Sequence, residues 1–110
     1  MDNLETVLKQ YDKSNKSDFS SLIFEIMELI AKRKYDGHYT IMKFTTNYRF
    51  CFGTLYIKDE TESQVAPSLM AEGKTLDEAI LNAITDRIDC YSIREKLPQA
   101  VKEFEDEIWN

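Results

Sequence analysis

The sequence predicts an α+β domain in which helices pack on a three-stranded antiparallel sheet, in the order α-α-β-β-β-α-α. Two observations support this class: apolar residues recur with a helical period in two separate segments, and aromatic and β-branched residues alternate between them as in strands. The 110 residues suit one hydrophobic core. We expect a single domain over 1–110, with its core in 18–92 and a carboxy-terminal helix, 98–109, packed on that core.

The first third of the chain predicts two helices. Leu4, Val7, Leu8 and Tyr11 stand at i, i+3, i+4 and i+7, which is typical of a short amphipathic helix over Asn3–Tyr11. A second, longer helix follows a polar loop, and its apolar stripe consists of Phe19, Leu22, Ile23, Ile26, Met27 and Ile30. The basic residues at 32–34 fall in its last turn, where cations interact favourably with the helix dipole.

The middle of the chain is rich in Tyr, Phe, Ile and Thr, as strands prefer. The expected segments, in order, are a strand Tyr39–Thr45, a turn at 46–47, a strand Tyr48–Ile57, a charged loop over 58–64 and a strand Val65–Ala71. The short turn implies an antiparallel hairpin. Pro67 places the third strand at an edge, because proline cannot donate to a hydrogen-bonded ladder.

The last third predicts two more helices. Thr75-x-x-Glu78 is a capping box, and the apolar positions after it continue to Tyr91. Pro98 suits the first turn of a new helix and not the interior of an existing one. We therefore expect the final helix to begin at Pro98.

Both faces of the second predicted strand carry large side chains. Phe50 and Phe52 point to one face, while Cys51, Leu55 and Ile57 point to the other. Either the terminal helices cover the second face or a second copy of the chain does, so a homodimer is one of two expected arrangements.

Acidic residues are concentrated in the second half of the chain. The net charge is −6, with eight basic and seven acidic residues in 1–57 and six basic and thirteen acidic residues in 58–110. This balance argues against non-specific nucleic-acid binding, which depends on basic patches. The cluster Glu103, Glu105, Asp106 and Glu107 is either a solvated surface or a face that docks on a basic partner or imitates nucleic-acid phosphate.

The sequence lacks the residues that several classes of function require. No apolar run is long enough to span a membrane, and the first ten residues do not resemble a signal peptide, so we expect a cytoplasmic protein. Cys51 and Cys90 have neither zinc-binding nor redox spacing, and the isolated glycines do not form a phosphate loop. We expect no metal, no cofactor and no catalytic activity, since His38 is the only histidine and has no nucleophile beside it.

Arg49 is the charged residue best placed to bind a ligand. It lies within an aromatic strand, and its guanidinium could hold a phosphate, a carboxylate or a nucleobase framed by Tyr48 and Asn47. His38 completes this candidate site. The alternative is that Arg49 is a strand arginine that packs along the surface.

Two family resemblances follow from the middle of the chain. The strands Tyr39–Phe44 and Tyr48–Phe52, followed by Ala71–Ile84, resemble the phage ABA sandwich domain over roughly 20–88. This resemblance implies a small phage or prophage accessory protein, and some relatives are implicated in countering bacterial defence by sequestering nucleotide signals. The chain departs from the family before Ser20, where an amino-terminal stretch with Trp is missing.

The stretch Gly73-x-Thr75-x-x-Glu78-Ala79 also resembles the HicB-type antitoxins. Those proteins open with a strand and carry a separate DNA-binding module, whereas two helices come first here. We therefore expect a non-enzymatic, phage-type protein that binds a host protein or a small nucleotide-like ligand. The alternatives are an antitoxin that neutralises a basic toxin and an acidic mimic of nucleic acid.

Overall fold

A computed structural model describes residues 16–109, with side chains from Ser20 onward. The elements in chain order are α1 (Lys16–Lys34), β1 (Tyr39–Lys43), β2 (Tyr48–Phe52), α2 (Glu60–Val65), a 3₁₀ helix (Ala66–Leu69), β3 (Ala71–Gly73), α3 (Leu76–Asp86) and α4 (Cys90–Trp109). The α+β class and the three-stranded antiparallel sheet are confirmed. The predicted helix Asn3–Tyr11 lies outside the described residues.

The sheet has the order β1-β2-β3, so that β2 is the central strand. β1 and β2 form the predicted hairpin, with Tyr39 opposite Phe52 and Lys43 opposite Tyr48. The Phe44 N–H donates to the Asn47 carbonyl at 2.8 Å and closes the turn. β3 pairs antiparallel with the first half of β2.

Alternate residues of β2 belong to two different hydrophobic clusters. Phe50 and Phe52 face the first cluster, whose other buried members are Ile23, Ile26, Met27, Ala31, Ala71, Ala79, Ile80, Ala83 and Ile84. Cys51 faces the second cluster, whose other buried members are Leu55, Val65, Ala66, Met70, Cys90, Ile93 and Leu97. Because α1 and α3 cover one face and α2, the 3₁₀ helix and α4 cover the other, the chain encloses its own sheet from both sides.

β2 ends at Phe52, five residues before the predicted end at Ile57. Gly53 has φ of +82°, in the left-handed region, and a Cβ there would lie 2.3 Å from the Cys90 Sγ. The chain therefore turns at Gly53, although Leu55 beyond the turn still reaches the second cluster.

The predicted loop over 58–64 is wrong, because α2 forms there. Asp59 caps this helix by accepting a hydrogen bond from the Glu62 N–H at 2.9 Å. The Glu62 carboxylate in turn accepts from the Lys58 N–H at 2.8 Å and from Arg94 of α4 at 2.9 Å. The acidic residues that led us to expect a charged loop are therefore the residues that cap α2.

The predicted strand Val65–Ala71 is also wrong for most of its length. Val65 ends α2, and Pro67 lies in the first turn of the 3₁₀ helix, where a missing N–H leaves no hydrogen bond unmade. The third strand is short, Ala71–Gly73, and shares only Ala71 with the predicted strand.

Thr75 caps α3 as predicted, with its Oγ1 accepting from the Glu78 N–H at 3.3 Å. The expectation that this helix runs to Tyr91 is wrong, because Arg87 adopts a left-handed conformation with φ of 55° and ends it. The expected helix start at Pro98 is wrong as well. α4 begins at Cys90 and continues through Pro98, an exposed position. The buried neighbour Leu97 holds the helix on the second cluster, so that packing outweighs the low helix propensity of proline.

Candidate functional site

Arg49 is held on three sides by the protein itself. Its Nε donates to the Asn47 Oδ1 at 3.0 Å, its Nη1 donates to the Pro67 carbonyl at 3.0 Å, and its Nη2 lies 2.7 Å from the Glu72 Oε2. These partners come from the hairpin, the 3₁₀ helix and β3. Arg49 therefore ties three elements together and has few donors left for a ligand.

Tyr48 lies on the opposite face of the sheet from Arg49. It packs beside the first cluster, and the Lys43 Nζ lies 5.6 Å from its ring centroid. Asn47 contacts Arg49, but Tyr48 does not frame the guanidinium, because successive strand residues point to opposite faces. The groove beside Arg49, of about 870 Å³, is lined instead by Met42, Phe44 and Pro67 among others.

His38 lies at the other end of β1 from this groove. Its Nδ1 is 3.2 Å from the Thr54 Oγ1, and its carbonyl accepts a hydrogen bond from the Gly53 N–H at 2.9 Å. Four residue steps separate the two ends of β1, Tyr39 and Lys43, and correspond to about 13 Å along the strand. The structure thus brings Asn47 and Arg49 together and keeps His38 apart from them.

A cleft around Tyr35 was not identified in the sequence. The Tyr35 hydroxyl donates to the Asp89 Oδ2 at 2.5 Å, and its ring stacks on Phe52 at 5.7 Å between centroids and on Tyr91 at 6.1 Å. The cavity has a volume of about 470 Å³, and its rim carries Arg33, Lys34 and Arg87.

The hydrogen bond between Tyr35 and Asp89 changes the pKa of both side chains. Burial, followed by the bond to Asp89, raises the pKa of Tyr35. Burial alone would raise the pKa of Asp89, but the hydrogen bonds from Tyr35 and Ser92 outweigh it and lower that pKa. At neutral pH the pair is therefore a neutral phenol that donates to a carboxylate.

The cleft combines residues that sequence reasoning assigned to other roles. Arg33 and Lys34 were explained as cations in the last turn of a helix, and Asp89 was placed inside a predicted helix. The left-handed turn at Arg87 brings Arg87 and Asp89 to the end of α1. No local pattern in the sequence indicates that turn, because arginine rarely adopts a positive φ.

The acidic residues Glu103, Glu105, Asp106 and Glu107 are all exposed on the last turns of α4. The Gln99 Nε2 donates to the Glu103 Oε1 at 3.1 Å. The last turn of α4 has no basic residue, although the carbonyl end of a helix dipole favours cations. Two large apolar side chains lie beside these acids, Ile108 with 57% of its surface exposed and Trp109 with 84%.

Neither a family model, nor a curated protein, nor a solved structure matches this chain. Within residues 16–109 there is no cluster of three or more side chains that could ligate a metal ion. None of the helices in the same range is long and apolar enough to cross a membrane.

Proposed function

We propose that the protein is a non-enzymatic, phage-type accessory protein that binds a basic host protein through the end of α4. The observation that supports this proposal is the combination of four exposed acids with an apolar edge on a helix that extends beyond the core. The resemblance to phage domains, carried by the strands and by Ala71–Ile84, suggests the biological setting, which includes countering a bacterial defence.

The apolar face of α4 continues after the core ends. Leu97 is completely buried, Val101 and Phe104 are half-buried against the second cluster, and Ile108 is mostly exposed. These residues share one helix face because they are spaced three or four apart. An amphipathic helix whose apolar face is partly free is the form in which helices bind grooves of other proteins.

Electrostatics favour a cationic partner at this helix end. A carboxylate in the last turn of a helix is unfavourable beside its carbonyl end, and Asp106 and Glu107 lie in the last turn of α4. A partner that places lysine or arginine beside these carboxylates removes this repulsion and accelerates association.

The test is affinity capture of a partner from host lysate, followed by a binding titration with the identified protein. One variant replaces all four acids at the helix end with glutamine, and a second is Trp109→Ala. The matched control replaces four exposed acids elsewhere, namely Glu25, Glu60, Asp86 and Glu95. We expect a basic partner whose affinity falls about tenfold or more in the first variant and is retained in the control. Equal affinity of the two glutamine variants would contradict the proposal.

The same titration separates the alternatives within this class. A small basic toxin as the captured protein would indicate the antitoxin-like function. Competition by duplex DNA for a captured nucleic-acid enzyme would indicate mimicry of nucleic acid.

A second candidate function, binding of a nucleotide-like ligand, is favoured by the cleft around Tyr35 rather than by Arg49. The lining of this cleft combines Arg33, Lys34 and Arg87 with the apolar side chains of Ile30 and Ile84, and the three cations suit the phosphate of a nucleotide. Thermal unfolding in the presence of a nucleotide panel tests this function. We expect stabilisation by at least one nucleotide, lost in Arg87→Ala and retained in Lys96→Ala, whose side chain is exposed on α4. Absence of any shift would exclude this candidate.

A further inference from the structure

The outer edge of β1 has no partner strand within residues 16–109. The hydrogen bonds from Phe44 N–H to Asn47 and from Gly53 N–H to His38 establish which residues of β1 bond to β2. Since bonding alternates along an antiparallel pair, Thr40 and Met42 direct their backbone groups to β2. The backbone N–H and C=O groups of Tyr39, Ile41 and Lys43 therefore point away from the sheet.

We propose that β1 pairs in antiparallel fashion with β1 of a second copy, across a twofold axis at Ile41. The two three-stranded sheets then form one continuous six-stranded sheet. Ile41 lies opposite its counterpart, and Tyr39 of each copy lies opposite Lys43 of the other. These pairs would form about six backbone hydrogen bonds.

Apolar surface lies at the centre of this edge. Ile41 is opposite the buried Phe50 in the sheet, yet 40% of its surface is exposed. The Tyr39 hydroxyl donates to the Glu28 Oε1 at 3.1 Å and joins β1 to α1. Phe24, one helical turn before Glu28, is 36% exposed.

The charges on this edge are complementary to those on the same edge of a second copy. Lys43 of one copy lies opposite Tyr39 of the other, and that Tyr39 holds the Glu28 carboxylate through its hydroxyl. The pairing therefore places one Lys43–Glu28 pair on each side of the axis. A twofold interface needs such self-complementarity, which an edge that binds an unrelated strand does not need.

β1 has only one of the features that keep edge strands apart. Proteins protect such edges with proline, with β-bulges, with very short strands or with charged side chains, above all lysine. β1 has no proline, and its register with β2 is continuous from Tyr39 to Lys43. Its one charged residue, Lys43, has a partner in the proposed pairing. The second face of the sheet is already covered by α4, the first of the two arrangements expected from the sequence, so the pairing proposed here uses the edge of the sheet and not its face.

Sedimentation velocity of the full chain over a range of concentrations tests the pairing. We expect a dimer that Ile41→Glu weakens about tenfold or more, because it places like charges directly opposite each other. Tyr56→Glu is the control and should dimerise as tightly as the wild type, since Tyr56 is 65% exposed and lies outside β1. A monomer at all concentrations would overturn the proposal, whether residues 1–15 or another protein covers the edge.

A charge exchange leaves the core untouched and tests the same interface. Glu28→Lys and Lys43→Glu are each expected to weaken the dimer several-fold, and the double exchange is expected to restore it. Single variants that dimerise as tightly as the wild type, or a double exchange without recovery, would overturn the charge pairing.

Oxidative crosslinking tests the register. Cα atoms in such a pair lie about 5.5 Å apart, within the range that a disulfide spans. Ile41→Cys is therefore expected to crosslink two copies. In Lys43→Cys the two cysteines would lie about 13 Å apart along the strands, too far for a disulfide. Cys51 and Cys90 are buried and do not compete. Crosslinking of Lys43→Cys, or of neither variant, would overturn the twofold axis at Ile41.

Discussion

Replacement of Gly53 by alanine tests how closely β2 approaches α4. Gly53 and Gly37 both have φ of +82°, so alanine is strained at both positions. The two sites differ in their surroundings. A Cβ at Gly53 would lie 2.3 Å from the Cys90 Sγ and 3.2 Å from a ring carbon of Tyr35, whereas one at Gly37 would meet nothing within 4 Å.

The expected free-energy changes follow from this difference. A left-handed conformation costs a residue with a Cβ about 1–2 kcal/mol, and this cost applies to both variants. Overpacking of a filled core adds about 1–3 kcal/mol, and this second cost applies to Gly53→Ala alone. We therefore expect Gly37→Ala to lower the free energy of unfolding by about 1–2 kcal/mol and Gly53→Ala by about 2–5 kcal/mol.

Urea unfolding at equilibrium measures both changes. Cys90→Ala removes the sulfur that the new methyl group would meet, so the double variant Gly53→Ala/Cys90→Ala should lose less stability than the sum of its single changes. Equal losses in Gly37→Ala and Gly53→Ala would refute the reasoning, because the close approach to Cys90 would then have no energetic consequence.

Three further predictions concern individual side chains. Arg49→Ala is expected to cost about 1–3 kcal/mol of unfolding free energy, because it leaves the Pro67 carbonyl without its donor, whereas removal of the mostly exposed Glu72 carboxylate should cost less than about 1 kcal/mol. The pKa of Asp89 is lowered in the folded state, so its carboxylate stabilises the fold above the unfolded pKa of about 3.9, and this contribution is lost as the pH falls through the lower folded pKa. The difference in unfolding free energy between wild type and Asp89→Asn should therefore narrow as the pH falls below about 5. Burial raises the pKa of the Cys51 thiol to about 12, so iodoacetamide at about pH 8 should modify it only as the protein unfolds, and rapid modification of the native protein would contradict this burial.

The sequence predicted the parts of the fold that depend on local periodicity. The helix through Ile23 and Met27, the hairpin at β1–β2 and the capping box at Thr75 each carry a regular pattern over several residues. The segments whose structure was predicted wrongly lack such a pattern. α2 is six residues long and caps itself with acidic side chains, and β3 is three residues long, so neither provides a full period.

The sequence indicated which residue types could form a binding site, but it did not indicate which of them the fold brings into contact. The sequence singled out Arg49, and the structure shows its donors engaged by Asn47, Pro67 and Glu72. Two of these partners lie on segments whose structure was not foreseen. The contact between Tyr35 and Asp89 joins residues 54 positions apart, a long-range contact that a single sequence does not reveal.

The point where the chain crosses from one face of the sheet to the other has a mechanical consequence. Phe52 forms a parallel bridge with Asp89, its N–H donates to the Ile88 carbonyl at 3.2 Å, and Ile88 packs against both clusters. A force applied to the carboxy-terminal end of α4 is therefore transmitted through Cys90 and Ile88 to the central strand and to both hydrophobic clusters together. Detachment of α4 should then release the Phe52 amide to solvent, and hydrogen exchange at Phe52 should rise together with exchange throughout α4.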